Sequence, residues 1–168
     1  MDVEIEQSLG VGNKLPNFGQ IKKVFEEGTA ELSAKQGQVL LIDVWATWCG
    51  PCQKPMAHNE EMLKKNNWGD RVRIVGVSVD DDVETIKQRV ESKDWKRIEH
   101  LTLGGWDNDH ELIKQFSVCG IPFVCLVDTK GEIFFTGHPS ELNLEETINN
   151  LLQEGGIKKE TKTEEEEK

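Results

Sequence analysis

Cys49-Gly50-Pro51-Cys52 follows directly on Trp48 and an apolar run, and two cysteines at this spacing at the start of a helix stand one turn apart. That separation suits a disulfide that forms and breaks reversibly. The preceding residues, Gln38-Val39-Leu40-Leu41-Ile42-Asp43-Val44-Trp45, are a near-continuous aliphatic and β-branched run, which predicts a strand buried on both faces of a sheet. Gly50 lets the chain turn sharply, and Pro51 has the fixed φ and missing N–H that suit a first helical position. Cys49 is thereby expected at the helix entrance, where unpaired backbone N–H groups and the positive end of the macrodipole stabilise a thiolate. This makes Cys49 the expected nucleophile. Cys52, further in and drier, is the expected resolving thiol.

The stretch from Asp43 to Cys52 resembles the strand and active-site signature of the thioredoxin family position by position. Asp43, six residues before Cys49, stands where thioredoxins keep a buried carboxylate that relays a proton to the resolving thiol. Gly120-Ile121-Pro122 matches their cis-proline loop. The resemblance implies catalysis by Cys49 and Cys52 with Asp43 as proton relay. It also implies a substrate-binding surface of Trp48, Gly50, Pro51, Ile121 and Pro122, with an extended substrate peptide against the Ile121 backbone. No cofactor and no metal are implied. The resemblance further implies disulfide-containing proteins as substrates and a thioredoxin-reductase-like or glutathione electron donor. The Gly-Pro pair between the thiols is the one thioredoxin carries, with a nucleophile pKa of about 7 and a potential near about −270 mV, so a reductase is favoured over an oxidase.

A zinc site wants four ligands, and the remaining cysteines, Cys119 and Cys125, have no paired spacing. The peroxiredoxin pattern Pro-x-x-x-Thr-x-x-Cys is not met, since Ala46 stands where the threonine belongs. A non-catalytic thioredoxin-fold binding module in a protein assembly is the alternative function. Cys125, between Val124 and Leu126, reads as a small buried hydrophobe, whereas Cys119, three residues before Pro122, falls near the active surface. His58, His100, His110 and His138 share no metal-binding spacing.

Length and charge bound the remainder. The 168 residues suffice for one domain with a substantial core, and a formal net charge of −11 argues against nucleic acid or an anionic membrane as partner. An acidic amino terminus without an apolar stretch predicts cytoplasmic residence, where a Cys-x-x-Cys pair is more often catalytic than structural.

Around the motif, a turn-rich opening at 10–18 precedes an expected helix over about 21–34. A helix over about 51–66, a strand over 72–79 and a helix over about 83–93 follow, the last behind Asp80-Asp81-Asp82. A short strand at 100–103, a helix at 109–116, a hairpin of 123–127 with 132–136 around Asp128-Thr129-Lys130-Gly131, and a final helix over about 144–153 complete the pattern. The fold class expected is α/β, a thioredoxin fold with a central mixed sheet flanked by helices. One domain spans 1–154, and a charged, disordered tail spans 155–168.

The stretch 80–116 is longer than a minimal thioredoxin needs. It resembles the TlpA-like thiol-disulfide oxidoreductases, which implies an inserted helix and strand before the cis-proline loop, and Gly12 to Phe18 matches their Gly-x-x-x-Pro-x-Phe opening. Two departures stand out. Gly76 occupies the position where small thioredoxins place a lysine near the buried carboxylate, and Pro55 comes earlier than the proline that kinks their active-site helix.

Overall fold

The computed structural model describes residues 9–157. Its first two strands, β1 (Gln20–Lys23) and β2 (Thr29–Glu31), form an antiparallel hairpin where the sequence predicts a helix. Lysine and glutamate make 21–34 compatible with a helix, but Ile21, Val24 and Leu32 are buried, and Gly28 takes a positive φ of 95° at the turn. Sheet pairing to a distant strand overrides the local preference.

β3 (Val39–Trp45) is buried along its whole length, as its apolar run requires. The active-site turn Gly50–Cys52 is a short 3₁₀ segment leading into α1 (Gln53–Lys65). Pro55 lies in the first turn of α1, where a missing N–H leaves no intrahelical hydrogen bond unmade and requires no kink.

After α1 come β4 (Val72–Ser78) and the inserted pair α2 (Val83–Lys93) and β5 (Glu99–Thr102), close to the predicted bounds. Asp82 caps α2 by accepting from Glu84 N. α3 is short (Glu111–Gln115) and is capped by His110, which accepts from Leu112 N. The hairpin is β6 (Phe123–Val127) with β7 (Ile133–Gly137), and α4 (Leu144–Ile157) closes the described chain.

The seven strands make one mixed sheet in the order β2-β1-β5-β4-β3-β6-β7. β3 lies parallel to β4 and antiparallel to β6, and β5 is inserted between β4 and β1. Buried Glu60 on α1 fastens the insertion, its carboxylate accepting from Arg97 N at 3.0 Å, Ile98 N at 3.3 Å and Arg97 Nη1 at 3.1 Å.

α4 continues past the expected end at residue 153 and past the 154/155 boundary read from the sequence. Gly155, the first residue of the expected tail, lies inside the helix at a close approach, where a Cβ would come within 2.6 Å of Thr129 Oγ1. The acidic tail at 158–168 and the amino terminus at 1–8 lie outside the described residues.

Candidate active site

The end of β3 delivers the chain into a tightly held loop. Thr47 N and Oγ1 both donate to buried Asp80, at 2.9 Å to Oδ2 and 2.7 Å to Oδ1, and Ser78 Oγ donates to the same carboxylate at 2.7 Å. Cys49 N donates to Ala46 O and Cys52 N to Cys49 O, each at 3.2 Å, which coils the chain into the 3₁₀ turn. Pro51 and Gly50 sit at the exposed crown of this turn.

Cys49 and Cys52 are joined as a disulfide, with Cα atoms 5.3 Å apart. Cys49 is the more accessible of the two, 6 % exposed against 1 % for Cys52, in the order expected of a nucleophile and a resolving thiol. The Ile121–Pro122 bond is cis, and the Ile121 carbonyl oxygen lies 3.9 Å from Cys49 Sγ. An open groove of about 500 Å³ runs over the disulfide, lined by Trp48, Cys49, Gly50, Pro51, Trp106, Cys119, Gly120 and Ile121.

Asp43 lies in the middle of β3 and is buried. Burial pushes its carboxyl up to about 7, because the charged form loses its hydration, and the hydrogen bond from Asn59 Nδ2 to Oδ2 at 2.8 Å opposes that rise. Gly76 faces Asp43 across the β3–β4 pair, at the register position read from the sequence. A Cβ at Gly76 would fall 2.9 Å from Met56 Cε and 3.2 Å from Trp45 Nε1, so α1 and Trp45 occupy the space a side chain would need. Among the described residues no lysine stands beside Asp43, and the polar partner comes from the helix above.

The structure thus brings Trp48, Cys49, Gly50, Pro51 and Ile121 to one surface, with Cys52 and Asp43 buried behind them; Pro122, expected on the substrate surface, is buried and does not line the groove, and it is Ile121 before it that does. Asn59 and Trp106 are the site residues that sequence reasoning missed. The only local signal for Asn59 was its polar type among the buried positions of α1, and Trp106 sits in the inserted stretch with no motif around it.

Cys119 is exposed in the groove. Cys125 is buried in β6, where desolvation pushes its thiol up to about 12. His100 is buried with Nε2 2.7 Å from Trp95 O, His138 accepts from Ser140 N, and His58 is exposed on α1. Trp45 packs in the core, edge-on to Trp95 at 5.8 Å.

A sheet of this order, with a disulfide at the head of a helix and a cis-proline opposite, defines a thioredoxin fold carrying a redox disulfide. A model of the thioredoxin-like family matches residues 37–133, more than half of the chain. The chain belongs to the thioredoxin-like family, and its activity is that of a thiol-disulfide oxidoreductase. Among its relatives, the thiol-disulfide oxidoreductase ResA of Bacillus thuringiensis is 27% identical over 148 residues, covering 87% of this chain and 81% of that protein. The thiol:disulfide interchange protein DsbE of Tatumella citrea is 29% identical over 152 residues, covering 86% and 73%. The thioredoxin domain of a thiol-disulfide oxidoreductase from Bacteroides vulgatus superposes with a TM-score of 0.71 over 86% of this chain and 99% of that one, and at 22% identity it bears on the fold alone.

Proposed function

We propose that the protein works in the reducing direction on disulfide-containing proteins. The observation that carries this reading is Cys49, just reachable at 6 % exposed in the lining of an open groove, with the Ile121 carbonyl beside it and, in the sheet behind, a buried carboxyl that desolvation pushes up to about 7. In the reduced state the Cys49 thiolate attacks one sulfur of a substrate disulfide, and the other substrate sulfur leaves as a thiolate that takes a proton. Asp43, in its ionised form, accepts the Cys52 proton. Cys52 then attacks Cys49 Sγ, the mixed disulfide breaks, and the second substrate thiol is released. Two electrons pass to the substrate, and the Cys49–Cys52 disulfide is the product. A thioredoxin-reductase-like or glutathione electron donor restores the dithiol.

Ile121 backbone groups and the Trp48, Gly50 and Pro51 surface hold the substrate chain, as the open groove beside Cys49 allows, with buried Pro122 setting the course of the loop behind them. Cytoplasmic residence belongs to the same proposal, since an exposed free thiol at Cys119 beside the site suits a reducing compartment. No helix among the described residues is long and apolar enough to cross a membrane.

The test is turnover of a disulfide-bonded protein with Cys49→Ser and Cys52→Ser variants. Cys49→Ser loses activity and Cys52→Ser accumulates mixed disulfides visible by mass spectrometry. Full activity in Cys49→Ser would overturn the scheme, and a partner that binds equally well without either thiol would favour a binding module. A midpoint potential far more oxidising than thioredoxin's would reverse the proposed direction.

A further inference from the structure

The inserted helix α2 reaches the active-site loop through a single cation. Ile86 and Val90 of α2 are buried, and Arg89 beside them extends to the loop, where Nη1 donates to Thr47 O at 3.1 Å and to Gln53 Oε1 at 2.7 Å. The amide of Gln53 then donates through Nε2 to Cys49 O at 2.8 Å and to Ala46 O at 3.3 Å. The direction of this relay is fixed by chemistry. A guanidinium only donates and a backbone carbonyl only accepts, so the amide oxygen must face Arg89 and the nitrogen must face Cys49. Asp80 grips the other side of Thr47, so both backbone groups of that residue are held, its N–H by Asp80 and its carbonyl by Arg89.

We propose that Arg89, acting through Gln53, is a positioning residue that holds the Cys49 turn and stabilises the Cys49 thiolate. This rests on the reading of Cys49 as the nucleophile. A permanent cation and an oriented amide dipole both present positive potential to the nucleophile's own peptide group, and in a partly buried loop they are screened less than surface charges. The inserted helix thereby serves the chemistry of the loop as well as covering the sheet. Other charged or titratable groups about the loop act alongside it: Asp80 behind Thr47, Lys54 in the exposed first turn of α1, Cys52 and Asp43 on the buried side, and Cys119 across the groove. Among the described residues, Arg89 is the one cationic side chain hydrogen-bonded to the loop.

The experiment is the pH profile of Cys49 alkylation in the reduced, full-length protein, read by fragmentation mass spectrometry that assigns the label to Cys49 and not to Cys52, so that neither Cys52 nor Cys119 contributes. In Arg89→Met the half-point should move up by about half to one pH unit, in Arg89→Lys by less, since a charge remains without the planar fork. Gln53→Met should move it in the same direction. Arg89→Met that is folded by circular dichroism and gives a profile superimposable on the parent's overturns the proposal, as does an unshifted Gln53→Met. Alkylation reads the thiol and not turnover, so loss of the disulfide-reducing function itself would appear as inactivity of the unsubstituted protein, separately from these shifts.

Discussion

Asp43 is the residue whose energetics and chemistry are most directly linked. Its folded-state pKa, pushed up to about 7 from an ordinary value of 3.8, means that the buried carboxyl favours folding most when protonated. Its contribution is fully present below about 3.8 and is lost as pH rises through about 7. The same ionisation that destabilises the fold generates the base that Cys52 needs. Asp43→Asn should therefore gain on the parent by about 2–3 kcal/mol more at pH 8 than at pH 5, measured by urea unfolding of the disulfide-bonded protein, while resolution of mixed disulfides slows. An equal gain at both pH values would mean that the carboxyl titrates at its ordinary value. Asn59 opposes the rise, so the effect of Asn59→Leu on the resolving step should run toward a higher apparent pKa.

At the scale of elements, β4 and α1 meet over Gly76. Alanine there needs Met56 Cε and the Trp45 ring to yield, the first easily because it is the free end of a flexible chain and the second less so because Trp45 is wholly buried against Trp95. Gly76→Ala should cost about 1–2 kcal/mol in unfolding free energy, and a neutral result would mean that the helix and strand adjust together. The insertion contributes at the same scale. Trp106, at 36 % exposed, lines the groove with the still more exposed Trp48, so the two indoles offer apolar contacts in the groove that holds Cys49. Trp106→Ala should lower kcat/KM several-fold for a folded protein disulfide and leave reduction of a small soluble disulfide nearly unchanged. A uniform loss on both would assign Trp106 to the fold and not to substrate contact.

For the molecule as a whole, the formal net charge of −11 sets a long-range preference among partners. Basic disulfide-bearing substrates should be reduced faster at low ionic strength and lose that advantage as salt rises toward about 150 mM, where the screening length is about 8 Å. An acidic substrate of matched sequence should show the opposite trend, and salt independence of both would confine the charge to a role in solubility.

The sequence by itself determined the elements whose periodicity is local and the thiol pair whose spacing carries its own chemistry. β3, β4 and α2 could be read from apolar runs and an acidic cap, and Cys49, Cys52, Asp43 and Pro122 from a contiguous signature and a short loop motif. The expected 21–34 helix failed because pairing with β5, some eighty residues later, outweighs the helix preference of lysine and glutamate. The final helix runs past its expected end near 153 because Gly155, with no side chain, can pack closely on Thr129 within it. Only the tertiary structure decided which groups surround the sulfurs and their carboxylate. Asn59 meets Asp43, Arg89 meets Gln53 and Trp106 joins the groove through packing of separate elements, and no short-range pattern encodes a contact whose two partners are brought together by the sheet.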